Sequence, residues 1–246
     1  MALNKVFLCL IASVFLLNCH KYDLLEKIEN PGGSASCADN GTGIVKNGLI
    51  AWWNFNGNLS DRWDCGSGFQ PAMGSNFTFT NDRFGQAGKA IDLGGGTGIV
   101  NLGSQSEFQT APFTLCTWVK MSLGGQYDAI KRSTGSNGYA LEIRDISTSI
   151  SVKMNGTTTV FVGAGMGTNV WNYMCLVYDA ANHQGFVGPF NGSLLSTGTS
   201  ATAFAQTGVS TDLLTNANQT AYDDAVFYNR KLSQEEITRN FAAAEQ

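Results

Sequence analysis

The chain contains little charge and almost no histidine. Only 14% of its 246 residues are charged and two are histidine, whereas soluble domains carry about 25% charged residues. Because solvent-facing helices depend on Glu, Lys and Arg along their exposed side, this composition excludes a helical bundle. The 15 basic residues are outnumbered by 19 acidic ones and are scattered along the chain. We therefore do not expect a protein that binds nucleic acid.

A hydrophobic run long enough to cross a membrane is also lacking. The apolar run at residues 6–17 follows Lys5 and has twelve residues. Twelve residues are too few to span about 30 Å of hydrocarbon as a helix, but they suit the hydrophobic region of an export signal. We therefore expect a signal peptide over residues 1–18.

The end of this region predicts a lipid anchor. Leu16-Leu17-Asn18-Cys19 resembles the lipobox of bacterial lipoproteins, in which the cysteine is acylated after cleavage. Cys19 is therefore the expected lipidation site, with an ordinary export signal and a chance cysteine as the alternative. Residues 19–43 have the composition of a flexible tether. We expect an exported protein held by lipid in the cell envelope, at the outer membrane, with one folded domain at 44–246.

Short apolar and aromatic runs separated by turn signals fill that domain, and the 29 glycines of the chain suit the turns. The runs lie at 49–55, 90–93, 99–102, 113–120, 128–132, 139–144, 149–154, 158–162, 171–178 and 221–228. Their spacing, without helical patterns between them, predicts antiparallel sheets packed face to face. One helix is predicted at 234–241, where Ser233 and Glu236 form a capping box.

Five segments share their order and pattern with one known family. They are Gly48-Leu49-Ile50-Ala51-Trp52-Trp53-Asn54-Phe55-Asn56-Gly57-Asn58, Phe84-Gly85-Gln86-Ala87-Gly88-Lys89-Ala90, Phe113-Thr114-Leu115-Cys116-Thr117-Trp118-Val119-Lys120, Trp171-Asn172-Tyr173-Met174-Cys175-Leu176-Val177-Tyr178-Asp179 and Asp223-Asp224-Ala225-Val226-Phe227-Tyr228-Asn229-Arg230-Lys231-Leu232-Ser233. Together they resemble the laminin G-like branch of the concanavalin A-like lectin/glucanase superfamily. The resemblance implies an all-β, two-sheet antiparallel jelly-roll sandwich with a short C-terminal helix. One departure is the segment 185–191, where Pro189 interrupts a strand that the family usually has.

The cysteines fit an exported protein. Cys37, Cys65, Cys116 and Cys175 remain beyond the anchor, and in an oxidising compartment they allow three pairings. The resemblance places Cys116 and Cys175 on neighbouring strands, where the family usually has small residues, and so implies that they pair. Cys37 and Cys65 would then tie the tether to the domain. Two buried free thiols at 116 and 175 are the alternative.

The groups needed for hydrolysis are not expected to meet. Glucanase relatives carry acid and nucleophile on one face of a strand. The close acidic pair here, Glu142 and Asp145, is three residues apart, which places the two side chains on opposite faces. A Ser-His-Asp triad needs a histidine, and His183 lies in a predicted turn. We therefore expect no enzyme activity.

Calcium is the cofactor that the resemblance implies, as a structural ion between the opening turn and the closing strand. Asp61 lies where the family keeps an aspartate. Alternation along the last strand puts Asp223 on the face of Ala225 and Phe227, which is expected to be buried. A buried carboxylate needs a partner, and a calcium ion shared with Asp61 would supply one. Hydrogen bonds to Asp223 without a metal are the alternative.

Two aromatic residues in predicted loops, Trp63 and Tyr127, are candidate platforms for a sugar ring. Ordinary packing is the alternative for each, and Trp52, Trp118 and Trp171 are expected in the core.

The sequence thus predicts a non-catalytic envelope lipoprotein whose lectin-like domain binds a glycan or a glycoprotein. The alternative is a structural or adhesive envelope component that binds a protein partner through loops or a sheet edge.

Overall fold

The computed structural model describes twelve segments of the chain. They are residues 43–63, 72–95, 97–122, 127–134, 137–145, 149–154, 157–162, 166–179, 183–188, 195–200, 211–214 and 220–243. The predicted signal peptide, the lipidation site Cys19, most of the tether, Cys37 and Cys65 lie outside these residues.

Strands dominate the described segments. They are β1 (Leu49–Trp53), β2 (Met73–Ser75), β3 (Thr78–Thr80), β4 (Ala90–Asp92), β5 (Ile99–Gly103), β6 (Phe113–Met121), β7 (Tyr127–Thr134), β8 (Asn137–Asp145), β9 (Ser149–Met154), β10 (Thr157–Val162), β11 (Trp171–Tyr178), β12 (His183–Gly188), β13 (Leu195–Ser200), β14 (Thr211–Leu214) and β15 (Thr220–Tyr228). A 3-10 helix covers Ser106–Gln109, and helix α1 covers Gln234–Ala242. Within these segments, no helix combines the length and the hydrophobicity needed to cross a membrane.

The strands form two antiparallel sheets. The first has the order β13-β12-β11-β6-β15-β4-β3, with β1 also paired to β15. At its centre β6 pairs with β11, from Trp171 opposite Lys120 to Tyr178 opposite Phe113. The second sheet has the order β10-β9-β8-β7-β14-β5-β2. The predicted two-sheet antiparallel sandwich is confirmed.

The hydrophobic core lies between the two sheets. Alternate side chains of β6, β11, β8 and β9 enter it, as the period of two predicts; they include Phe113, Leu115, Val119, Met121, Met174, Leu176, Leu141, Ile143, Val152 and Met154. Phe108 of the 3-10 helix closes one end, where its ring centroid lies 4.4 Å from that of Phe227 and 6.1 Å from that of Trp53.

The outer face of the first sheet is covered by the ends of the described chain. The capping box of α1 is confirmed, because Ser233 Oγ accepts from Glu236 N and Glu236 Oε2 accepts from Ser233 N. Asn240 of this helix accepts from Val45 N at 2.8 Å and donates to Tyr228 Oη at 2.9 Å. Residues 43–48 and α1 are thereby bound to the same surface.

Cys116 and Cys175 form the predicted disulfide. They lie opposite each other on β6 and β11, with Cα atoms 4.1 Å apart. Both side chains are fully buried. The alternative of two free thiols is therefore wrong, because the register of the two strands brings the sulfur atoms into bonding contact.

Five short or glycine-rich strands were not predicted, namely β2, β3, β12, β13 and β14. Residues 185–188 of the segment expected to break a strand belong to β12, whereas Pro189 lies outside the described residues. β12 also includes His183, expected in a turn. Tyr173 lies opposite Gly188 and Tyr178 opposite His183. Backbone pairing with β11 along this whole stretch overrides the weak strand propensity of its glycines.

Candidate functional site

A bulge in β15 determines which face of the first sheet carries the acidic residues. The register of β15 against β6 shifts just after Asp223, which lies opposite Trp118, and Asp224 has a left-handed φ of 45°. The extra residue reverses the alternation. Ala225 and Phe227 therefore enter the core, whereas Asp223 lies with Trp118 on the outer face. The prediction that Asp223 shares the face of Ala225 and Phe227 is wrong for this reason.

Arg83 is the charge partner of both aspartates. Its Nη1 lies 2.8 Å from Asp223 Oδ2 and 2.6 Å from Asp224 Oδ2, and its Nη2 donates to the Ala243 carbonyl oxygen at 3.1 Å. Trp52 Nε1 donates to Asp224 Oδ1 at 2.7 Å. Burial raises the pKa of Asp224, and Arg83 and Trp52 oppose that rise. The partner that buried Asp223 requires is thus an arginine.

Asp61 supports the loop after β1. Its Oδ1 accepts from the backbone N–H groups of Trp52 at 2.8 Å and Trp63 at 2.9 Å, the second of which closes an Asx turn. Among the residues described, no three His, Cys, Asp or Glu side chains converge as a metal site. Because Arg83 balances Asp223, these contacts supply no reason for a calcium ion there. Calcium binding by Asp61 and Asp223 stays a prediction.

The two predicted sugar platforms have different outcomes. Trp63 lies in a loop but is only 8% exposed. Its Nε1 donates to Leu49 O at 2.8 Å, and Lys46 Nζ lies 5.1 Å from its ring centroid. The exposed ring predicted at Trp63 is therefore wrong, because the segment before β1 covers it. Tyr127 begins β7 rather than lying in a loop; its side chain is outside the described part, and its ligand role stays a prediction.

An aromatic cavity lies on the outer face of the first sheet, beside the end of α1. This outer cavity has a volume of about 250 Å³ and is lined by Arg83, Phe84, Trp118, Trp171 and Phe241 with the following two alanines. Trp118 stacks on Phe241, with ring centroids 5.3 Å apart and planes at 23°. Phe84 is 50% exposed and Trp171 is partly exposed. Aromatic ring faces therefore reach the surface here.

Two local structures position these rings. In the turn before β4, Asp82 Oδ1 accepts from Phe84 N at 2.9 Å and Gln86 N at 2.7 Å. The guanidinium carbon of Arg83 lies 4.6 Å from the Phe84 ring centroid and 5.0 Å from that of Trp118. The Asp82 turn and Arg83 thus hold Phe84 beside the sheet, and the cavity wall is largely preformed.

A second cavity lies at the other end of β6. It has a volume of about 290 Å³ and is lined by Ser106, Glu107, Thr110, Ala111, Pro112 and Asn229. This cavity offers hydrogen-bonding groups but no aromatic wall. Because sugar recognition in proteins combines ring stacking with polar contacts, the outer cavity is the better candidate site.

The second sheet carries two neighbouring carboxyl groups. Asp128 of β7 lies opposite Glu142 of β8. Glu142 Oε1 lies 2.6 Å from Lys153 Nζ, and its Oε2 accepts from Ser151 Oγ at 2.6 Å. Burial favours a higher pKa for Glu142, but these two contacts outweigh it and hold the pKa below its usual value. Burial raises the pKa of Asp128, against the opposing effect of Lys131.

The position of these carboxyl groups bears on the expected lack of enzyme activity. The sequence pairing of Glu142 with Asp145 overlooked Asp128, which is on the adjacent strand. The side chain of Asp145 lies outside the described part, so its predicted separation from Glu142 stays a prediction. Glu142 is 3% exposed in its side chain, and both of its oxygens have protein partners. Such a carboxylate is suited to a structural role, and the lack of enzyme activity stays a prediction.

Most residues of the outer cavity were not predicted from the sequence. Trp118 and Trp171 were expected in the core, but Trp118 packs under α1 on the outer face and Trp171 is partly exposed. Alternation along β6 could have indicated this, since Val119 and Met121 enter the core and their neighbours must point outward. Arg83 lies 140 residues from Asp223 in sequence, so no local pattern connects them.

Comparison with known families gives one match. A model described as the concanavalin A-like lectin/glucanases superfamily (Laminin_G_3) matches residues 94–238, which is more than half of the chain. A search of curated proteins finds no significant match.

Comparison with solved structures gives lectin-like binding domains. The binding domain of botulinum neurotoxin DC in complex with SialylT has a TM-score of 0.55 and 15% identity, covering 78% of this chain and 50% of that one. The same domain in complex with rat synaptotagmin II has a TM-score of 0.54 and 14% identity, covering 79% of this chain and 51% of that one. A third similar structure is domain 4 of AbnA, an arabinanase from Geobacillus stearothermophilus, in complex with arabinotriose. It has a TM-score of 0.58 and 15% identity, covering 77% of this chain and 96% of that one. This chain thus spans about half of the neurotoxin domains, and at these identities the similarity establishes the fold.

Proposed function

We propose, from the premise that this chain belongs to the concanavalin A-like lectin/glucanase superfamily, that it binds a glycan or a glycoprotein at the outer cavity. The observation that carries the proposal is the set of aromatic rings around this cavity, with Phe84 half exposed and Trp171 partly exposed. The flat apolar face of a sugar ring packs against such surfaces. Two similar structures are complexes with SialylT and with arabinotriose, which supports a sugar as the ligand of a domain with this fold.

The proposal includes binding without turnover. None of the residues that line the outer cavity is an aspartate or a glutamate, and glycoside hydrolysis needs a pair of such groups beside the scissile bond. The carboxyl pair Asp128 and Glu142 lies on the other sheet. A bound glycan should therefore be recovered intact after prolonged incubation with the protein.

A glycan array on the mature protein tests the proposal. Phe84→Ala removes a ring from the cavity wall and should abolish or strongly weaken each signal of the wild type. Phe79→Ala is the matched control, because Phe79 is also an exposed aromatic residue, at 38%, but lies on edge strand β3 away from the cavity lining. No signal with the wild type, or equal loss in the two variants, would count against glycan binding at this site.

The same variants address the rival function. Met73 is 71% exposed and Phe79 is 38% exposed, and they lie on β2 and β3, the outermost strands of the two sheets. Exposed apolar residues on edge strands are suited to binding another protein. Recovery of one stoichiometric envelope protein with the wild type and Phe84→Ala, but not with Phe79→Ala, would favour the structural or adhesive role.

Attachment to the envelope is part of the proposal. It is supported by the apolar run at 6–17 and the lipobox-like Leu16-Leu17-Asn18-Cys19. Labelled fatty acid should be incorporated into the wild type, and Cys19→Ser should remove the label and release the protein from the outer membrane fraction. Labelling that persists in Cys19→Ser would contradict this anchor.

A further inference from the structure

We infer that the outer cavity recognises a single terminal sugar ring that carries a negative charge, an inference that rests on the proposed glycan binding. It goes further because it specifies both the size and the charge of the ligand. Size follows from the volume of the cavity, and charge follows from the groups that surround the aromatic rings.

The volume of the cavity suits a ligand of about one ring. Pockets for drug-sized molecules have volumes of about 300–1,000 Å³, and the outer cavity has about 250 Å³. Its walls are fixed by the stacking of Trp118 on Phe241 and by the buried contacts of Arg83. A preformed space of this size suits the end of a glycan rather than several consecutive sugars.

The rings of the cavity are bordered by positive charge. Lys120 Nζ lies 5.1 Å from the Trp171 ring centroid, and Lys120 is partly exposed. Arg83 also lies against the rings of Phe84 and Trp118, but its single charge is paired with Asp223 and Asp224, so Lys120 supplies the exposed positive charge. A sugar stacked on these rings would place its substituents beside an ammonium group, which favours a carboxylate or a sulfate over a hydroxyl.

Nearby negative charge does not cancel this preference. Asp223 and Asp224 bring two carboxyl groups against one guanidinium, but their side chains are 0% and 4% exposed, and burial raises the pKa of Asp224, which favours its neutral form. Asp92 shares a row of the sheet with Lys120, since each lies opposite Ala221 on β15. Trp171 lies on β11 opposite Lys120, so the backbone of Asp92 on β4 is three strand spacings from that of Trp171. Three spacings are about 14 Å, which exceeds the screening length of about 8 Å at physiological salt. Lys120 therefore dominates the potential at the Trp171 ring.

Matched monosaccharides test the inference by calorimetry or ligand-observed NMR. Glucose, galactose and mannose would each be compared with the corresponding uronic acid and 6-sulfate, so that only the group at C6 changes. At least one acidic sugar should bind about tenfold tighter than its neutral form, as expected for a hydrogen bond that gains a charge. The preference should fall in about 1 M salt, where the screening length is about 3 Å. The uronic acid and sulfate arms identify which anion is preferred.

Variants assign the preference to Lys120. Lys120→Gln should bind acidic and neutral forms equally, and Lys120→Arg should keep the preference. Lys231→Gln is the control with the same change in net charge; Lys231 pairs with Asp179 near the opposite end of β6 and should leave the preference intact. Equal binding of acidic and neutral forms by the wild type, lost in Phe84→Ala, would overturn this inference and leave the proposed function standing. No binding of any sugar, together with a silent glycan array, would overturn both.

Discussion

The guanidinium of Arg83 lies 2.8 Å from the carboxylate of Asp223, and the two side chains are 7% and 0% exposed. The contact joins the turn before β4 to the bulge of β15. The same arginine contacts Asp224 and the carbonyl oxygen of Ala243, beyond the end of α1. One residue therefore connects the cavity wall, the sheet and the terminal helix.

Replacing Arg83 should be strongly destabilising. Arg83→Gln would leave two buried carboxylates without their cation, and breaking a buried ion pair costs about 3–5 kcal/mol of unfolding free energy. Lys231→Gln removes an exposed pair, in which the side chains are 46% and 25% exposed, and should cost no more than about 1 kcal/mol. Urea unfolding of the two variants measures the difference. Equal losses would show that the buried pair contributes no more than a surface pair.

The loss in Arg83→Gln should also depend on pH. Burial raises the pKa of Asp224 in the folded protein, and removing Arg83 raises it further. An acid with a raised folded-state pKa contributes stability at low pH that is lost as pH rises through that pKa. The deficit of Arg83→Gln should therefore be largest at neutral pH and smaller near pH 5. A deficit that does not change with pH would contradict this account of Asp224.

Glu142 and Asp128 should have opposite pH signatures. The pKa of Glu142 is lowered in the folded protein, so Glu142 contributes stability above its unfolded value that is lost as pH falls through the folded pKa. The pKa of Asp128 is raised, so its contribution is present at low pH and lost as pH rises. On acidification Glu142→Gln should therefore lose less unfolding free energy than the wild type. At neutral pH Asp128→Asn should have a higher unfolding free energy than the wild type.

These effects should be modest, because the Lys153 partner is 38% exposed and solvent screens the pair; about 1 kcal/mol is expected for Glu142→Gln at neutral pH. Unfolding free energies measured by urea across the acid range would separate the two variants. Curves of the same shape for Glu142→Gln and Asp128→Asn would indicate that the two carboxyl groups are not held differently.

The disulfide should contribute a large part of the stability. Cys116 and Cys175 are separated by 59 residues, and the loop-entropy relation gives about 4 kcal/mol for closing a loop of this length. The double variant Cys116→Ala/Cys175→Ala should lose about this amount in guanidinium unfolding under oxidising conditions. Cys37→Ala/Cys65→Ala unfolded with and without reductant is the control, because reduction then opens only the Cys116–Cys175 bond, and it should lose a similar amount. A much larger loss in Cys116→Ala/Cys175→Ala than on this reduction would mean that packing of the sulfur atoms, rather than the cross-link, is responsible.

Regular elements of this fold were predictable because their signals are local. The alternation of Phe113, Leu115 and the following residues of β6 specifies a strand, and Ser233 with Glu236 specifies the start of α1. The family resemblance supplied the pairing of Cys116 with Cys175, which no local pattern reveals. Strands such as β12 were missed because their stability depends on the neighbouring strand rather than on their own residues.

The site was less predictable, for two physical reasons. The bulge at Asp224 inserts one residue into β15 and reverses the face on which Asp223 lies, and a period of two cannot reveal such an insertion. Burial of Trp63 and pairing of Asp223 with Arg83 depend on segments distant in sequence. The carboxyl pair Asp128 and Glu142 could have been predicted more easily. The two residues belong to consecutive strands of one hairpin, and antiparallel pairing of those strands places them opposite each other.

Calcium provides the sharpest test of how Asp61 and Asp223 are used. Calcium binding by the two aspartates predicts a higher thermal midpoint in calcium than in EDTA, whereas the alternative, in which Asp61 Oδ1 binds two backbone N–H groups and Asp223 pairs with Arg83, predicts the same midpoint in both. Asp61→Asn should lower the unfolding free energy by about 1 kcal/mol through the weakened turn, equally in both conditions. A midpoint that rises with calcium in the wild type but not in Asp61→Asn would instead mean that the aspartates bind the ion.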